Sequence, residues 1–112
     1  MEFREIALIT TTCGDAAVAE RLVTHVIERR LAACGQIDAD VRSRYHWAGE
    51  IASDTECRCT FKTSVLRAEA CAAGILAVHA YDTPELTVAT VMATAAYADW
   101  IDATVDPGLA HG

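Results

Sequence analysis

The stretch Ala33-Cys34-Gly35-Gln36-Ile37-Asp38-Ala39-Asp40-Val41-Arg42-Ser43-Arg44-Tyr45-His46-Trp47 decides the fold, together with Ile51-Ala52-Ser53-Asp54-Thr55-Glu56-Cys57-Arg58-Cys59-Thr60-Phe61-Lys62-Thr63, which follows Ala48-Gly49-Glu50. In the first arm Ile37, Val41, Tyr45 and Trp47 fall on odd positions, and Asp38, Asp40, Arg42 and Arg44 on even ones. In the second arm Ile51, Cys57, Cys59 and Phe61 are odd, and Asp54, Glu56, Arg58 and Lys62 even. Alternation of this kind marks a strand with one apolar and one polar face. Two such arms around a glycine predict a long antiparallel hairpin. Directly opposed residues share a face, so an unbroken ladder pairs odd with odd and requires a loop of odd length. The three-residue loop Ala48-Gly49-Glu50 meets that requirement. The resulting register sets Arg44 opposite Asp54, Arg42 opposite Glu56, Asp40 opposite Arg58 and Val41 opposite Cys57.

On the N-terminal side, Ile6-Ala7-Leu8-Ile9 and Thr10-Thr11-Thr12 form a short, β-branched, apolar run that reads as a buried strand. Asp15 is the expected N-cap of a helix from Ala16 to Leu31, whose apolar stripe is Val18, Leu22 and Val26 with Ala19, Val23 and Ile27 beside it. On the C-terminal side, Thr63 or Ser64 caps a second helix, Val65 to Val78, with Leu66, Ala70, Ala73 and Ala77 expected to face inward despite the cost of Gly74. His79 to Glu85 is irregular because Pro84 lacks an amide donor. Leu86 to Met92 reads as a strand. Thr94 to Thr104 reads as a last helix with Tyr97, Trp100, Ile101 and Thr104 on one side, and 106–112 as a loose tail.

The order β-α-β-β-α-β plus a terminal helix is that of a ferredoxin-like α+β sandwich, in one domain of 112 residues. Hairpin arms of this length outrun what two short strands and two helices can cover. An uncovered ribbon bearing Val41, Tyr45 and Trp47 needs a partner, and a second copy of the chain is the simplest one. The expectation is a closed homo-oligomer joined through these arms, with Tyr45 and Trp47 as anchors.

A net charge of −7 argues against nucleic acid and anionic membrane surfaces as partners. No apolar run reaches the ~20 residues of a membrane span, and the charged start Met1-Glu2-Phe3-Arg4-Glu5 does not resemble a signal peptide, so a cytoplasmic location is expected. Five cysteines without a C-x-x-C pair point to neither a disulfide framework nor a zinc finger. No phosphate loop, G-x-S-x-G elbow or H-E-x-x-H is present, so the chain is not expected to be an enzyme or to carry an organic cofactor.

Several fragments together resemble the CutA divalent-cation-tolerance family: Leu31-Ala32-Ala33-Cys34, Ser43-x-Tyr45-x-Trp47-x-Gly49, Glu56, Lys62-Thr63, His79-x-Tyr81-x-Thr83-Pro84-Glu85 and Tyr97-x-x-Trp100. The family's His-Pro-Tyr is His79-Ala80-Tyr81 here, a second histidine of some members is Val78, and a late first-strand cysteine is Thr11, with Cys13 two residues on. The resemblance implies a ferredoxin-like homotrimer that takes part in tolerance of copper(II) or other divalent cations without catalysing a reaction. It marks His79 and Cys13 as candidate metal ligands, since imidazole and thiolate suit copper. The bland reading of His79 is a hydrogen-bonded structural histidine, and that of Cys13 a small core residue. Cys34, Lys62, Tyr81 and Glu85 are the expected lining of a polar pocket between subunits. Cys57 and Cys59 read as packing. The partners implied are the chain itself and divalent metal ions. Two alternatives stand beside this: a regulatory trimer that binds small ligands in inter-subunit clefts, and a purely structural or interaction protein.

Overall fold

The structure is a computed structural model and describes residues 1–106. The strands are β1 (Phe3–Cys13), β2 (Cys34–Trp47), β3 (Glu50–Thr63) and β4 (Leu86–Thr94); the helices are α1 (Ala16–Glu28), α2 (Ala68–Val78) and α3 (Ala95–Val105). All strand pairs are antiparallel, in the order β2-β3-β1-β4. This is the expected βαββαβ arrangement with a terminal helix.

Period-two alternation divides the residues of β1 between two cores. Ile9 and Cys13 join Phe61, Cys57 and Cys59 of β3 beneath Ala19, Leu22 and Val26 of α1 and Cys71 and Ile75 of α2. Ile6, on the other face, meets Ala98 and Ile101 of α3, with Leu8 and Val91 beside them. The sheet is therefore covered by α1 and α2 on one side and partly by α3 on the other. Arg4 pairs with Asp99 and, at 3.2 Å, with Asp102, which ties the start of β1 to α3.

The expected caps are present: Asp15 accepts from Val18 N–H at 2.9 Å, and Ser64 from Arg67 N–H at 3.2 Å. Helix α1 ends three residues before Leu31. Arg30 turns left-handed at φ 54°, so that Arg30 N–H meets Ile27 O at 3.0 Å and Leu31 N–H meets Val26 O at 3.1 Å. These two bonds form a Schellman cap.

The second helix differs more. Val65–Arg67 is a separate 3-10 turn, and Cys71 and Ile75 are the buried residues of α2. Leu66 is 81% exposed, and Ala70, Ala73 and Ala77 are exposed as well. The segment is apolar nearly all round, so its composition does not single out an inner face. Gly74 lies where a Cβ would come within 2.4 Å of Leu31 Cδ1, a close approach that accounts for glycine inside the helix. In α3 the buried residues are Ala98, Ile101 and Val105, whereas Trp100 is 49% exposed. Asp106 is held by Arg67 at 2.9 Å, so ordered structure reaches one residue into the expected tail, and 107–112 lies outside the described residues.

The hairpin exists, but in a different register. A two-residue turn, Ala48 (φ 51°) and Gly49 (φ 82°), replaces the three-residue loop, and a bulge lies between Asp38 and Val41, with Asp40 at φ 60°. One extra residue in β2 shifts its parity, so odd no longer has to meet odd. Arg42 lies opposite Thr55, Arg44 opposite Ser53, Val41 opposite Glu56 and Asp38 opposite Arg58. The three expected cross-strand charge pairs and the Val41–Cys57 pairing do not form. Residues of β3 before Cys57 have no strand partner but β2 among the described residues, so the hairpin projects past the end of β1 in a molecule 52 Å long.

Candidate functional site

The loop between α2 and β4 is fastened to the end of β1. His79 closes α2 with an extended backbone. Its Nδ1 lies 3.0 Å from Tyr81 N, and its Nε2 lies 2.9 Å from Thr12 O. A backbone amide only donates, so Nδ1 is the acceptor, and Nε2 carries the proton and donates to Thr12 O. A third link is Thr11 Oγ1 donating to Glu85 O at 2.6 Å.

Tyr81 passes over Gly14, where a Cβ would stand 3.2 Å from its hydroxyl, and donates to Glu56 Oε2 at 3.3 Å. Two residues along the same face of β3, Asp54 accepts from the hydroxyl of Tyr45. Two phenols and two carboxylates thus gather at the root of the projecting hairpin. Burial and the nearby Glu56 raise the Tyr81 pKa, and the bond to Asp54 leads the causes that push Tyr45 up to about 12. Both hydroxyls stay protonated donors at neutral pH. Their pairing with Asp54 and Glu56 follows from the two-residue turn: with Trp47 opposite Glu50, Tyr45 becomes the diagonal neighbour of Asp54. Gly49 suits the second position of such a turn, but alanine is not favoured at the first, so the sequence carries only half of the signal for this register.

The two candidate metal ligands are otherwise engaged. Both ring nitrogens of His79 are spent on the backbone. Cys13 is fully buried opposite Cys57, its thiol against Asp15 O at 3.7 Å. Burial, then the neighbouring Cys57, raise its pKa, whereas a metal ligand must be the thiolate. Among the described residues, no group of three His, Cys, Asp or Glu side chains is placed to hold a metal. The described residues of one chain therefore do not by themselves assemble a site for a resident divalent ion.

The expected pocket residues divide into two places. Half-buried Cys34 pairs with Lys62, whose Nζ stands 5.9 Å from the Tyr97 ring centroid. Tyr81 and the exposed Glu85 lie with Glu56 and Thr11. Lys62 lies six positions along β3 from Glu56, about 20 Å of strand. Tyr45 is 38% exposed and Trp47 71% exposed, on the hairpin face that also carries Val41, Asp54 and Glu56.

The fold and this site define an α+β ferredoxin-like domain with an uncovered hairpin and a loop clamped to its root. A sequence profile described as CutA1 divalent ion tolerance protein matches residues 7–104. The Divalent-cation tolerance protein CutA of Pectobacterium atrosepticum is 32% identical over 102 residues, covering 90% of this chain and 93% of that one. The structure of CutA from Synechococcus elongatus superposes with a TM-score of 0.87 at 31% identity, covering 94% and 96% of the two chains. The protein from Archaeoglobus fulgidus, called a periplasmic divalent cation tolerance protein, superposes with a TM-score of 0.85 at 29% identity, covering 90% and 99%. The chain belongs to the CutA1 divalent ion tolerance family.

Proposed function

We propose that this CutA-family chain works as a non-catalytic homotrimer that binds copper(II) or other divalent cations at sites shared between chains. The observation that carries the reading is the division of the pocket residues. Cys34 and Lys62 lie about 20 Å of strand away from the Tyr81–Glu56 contact, a separation that a neighbouring chain can span. Cys34 and Glu85 have metal-ligating chemistry and are not fully buried, whereas both nitrogens of His79 are engaged and Cys13 is buried. The exposed Tyr45 and Trp47 of the hairpin, and Val88 and Met92 on the edge strand β4, supply apolar surface for such assembly. Three chains placing hairpin against edge strand close a ring and remove the unpaired edges.

A cytoplasmic location belongs to the same proposal; five cysteines held as free thiols suit a reducing compartment. No helix among the described residues is long and apolar enough to cross a membrane. The test of assembly is sedimentation equilibrium at micromolar concentration. Three times the 12.0 kDa chain mass is expected for the protein, and a smaller species for Trp47→Ala. A monomer in both cases contradicts the reading.

The paired phenols and carboxylates at the hairpin root favour one second reading, a cleft for a small polar metabolite. A thermal-shift screen of the metal-free protein against metabolites separates it from the first: stabilisation by an organic ligand alone supports the cleft.

A further inference from the structure

The bulge and the two-residue turn sort the charges of the projecting hairpin. Glu50, Asp54 and Glu56 share one face with Tyr45 and Trp47. Arg42 and Arg44 lie on the other face, opposite Thr55 and Ser53, with His46 opposite Ile51 beyond them. The carboxylates that the sequence pairs with the arginines are engaged elsewhere: Asp54 holds Tyr45 and Glu56 holds Tyr81. Among the described residues, neither Arg42 nor Arg44 forms an ion pair. Arg44 Nε instead lies 3.4 Å from Ser53 Oγ, which draws its guanidinium across to β3. Arg42, Arg44, Ser53 and Thr55, with Ser43 and Asp54 at the margin, line an open groove of about 380 Å³.

Two neighbouring guanidiniums without a carboxylate partner are unexpected in a chain of net charge −7. Like charges on one face repel, and an anion between them removes that repulsion. We propose that this groove binds a small ligand with two linked oxyanion groups, of the diphosphate type. Arg42 and Arg44 leave β2 two residues apart, about 6.6 Å along the strand, so each planar fork can take one phosphoryl group in a bidentate contact. The hydroxyls of Ser53 and Thr55 add donors from the opposite strand. The patch is too short, and its surroundings too acidic, for a nucleic acid, whose binding grows with the number of phosphates neutralised. The site uses none of Cys34, Lys62, Tyr81 or Glu85, so it stands or falls apart from the metal reading.

The test is isothermal titration of the metal-free protein with sodium pyrophosphate at fixed ionic strength, with inorganic phosphate as comparator. One pyrophosphate per chain is expected, bound at least tenfold more tightly than phosphate. Arg42→Gln with Arg44→Gln is expected to lower that affinity at least tenfold, with circular dichroism and assembly mass unchanged. Thr55→Val, which keeps both arginines, is expected to weaken binding severalfold. Absence of saturable heat, equal affinity for the two anions, or undiminished binding by the double variant each overturns the proposal. A changed assembly mass in the double variant also overturns it, by making the basic face a contact between copies.

Discussion

The hydroxyl of Tyr81 donates to Glu56 at 3.3 Å, fastening the loop after α2 to the first residue of β3 that lies beyond the end of β1. The root of the projecting hairpin is thereby braced from outside the sheet. Tyr81→Phe keeps the ring over Gly14 and removes the donor. A loss of about 0.5–1.5 kcal/mol in urea unfolding is expected, at the size of one partly exposed hydrogen bond. An unchanged midpoint would show that the bond does not brace the hairpin.

His79 makes two backbone bonds with one ring. His79→Ala should therefore cost about 1–3 kcal/mol of stability, because Thr12 O and Tyr81 N lose their partner. Copper(II) affinity of the folded variant should stay within twofold of the parent. A tenfold loss of affinity without destabilisation would restore His79 as a ligand.

Alkaline pH should weaken the fold. Burial pushes the thiols of Cys59 and Cys71 up to about 12 from 9.0, and the bond to Asp54 pushes Tyr45 up to about 12 from 10.0. A folded-state pKa above the unfolded value means that the native state holds its proton longer. The stability from these groups is fully present below pH 9 and is lost as pH rises through 12. Urea midpoints measured across that window should fall, less steeply in Cys71→Ala. A flat profile contradicts the burial of these thiols.

The turn at Ala48-Gly49 places a residue with a Cβ at φ 51°. Asparagine enters that region at less steric cost than alanine. Ala48→Asn should stabilise the protein by about 1 kcal/mol, read as a higher melting temperature. Destabilisation would favour the three-residue loop instead.

The fold was legible in the sequence wherever a pattern had only one solution. The apolar, β-branched run of β1, the alternation in β3, the stripe of α1 and the cap at Asp15 each left little choice. The hairpin register was not, because parity arithmetic assumes an unbroken ladder and the bulge beside Asp40 breaks it. The inner face of α2 was hidden for a different reason: where alanines surround a helix, packing against Leu31 and β1 selects the face. At the site, the loop residues His79, Tyr81 and Glu85 were legible as a group. Their partners Thr11, Thr12, Gly14 and Glu56 were not, since they come from distant strands that only the register brings near. The saturation of both His79 nitrogens is likewise a tertiary fact.

Copper(II) titration of the parent protein beside Trp47→Ala, with the mass of each followed by light scattering, tests the shared-site claim most directly. The parent should bind saturably as a trimer, and the dissociated variant should lose that binding at least tenfold while remaining folded. A monomeric Trp47→Ala chain that binds copper(II) as tightly as the parent would contradict the claim.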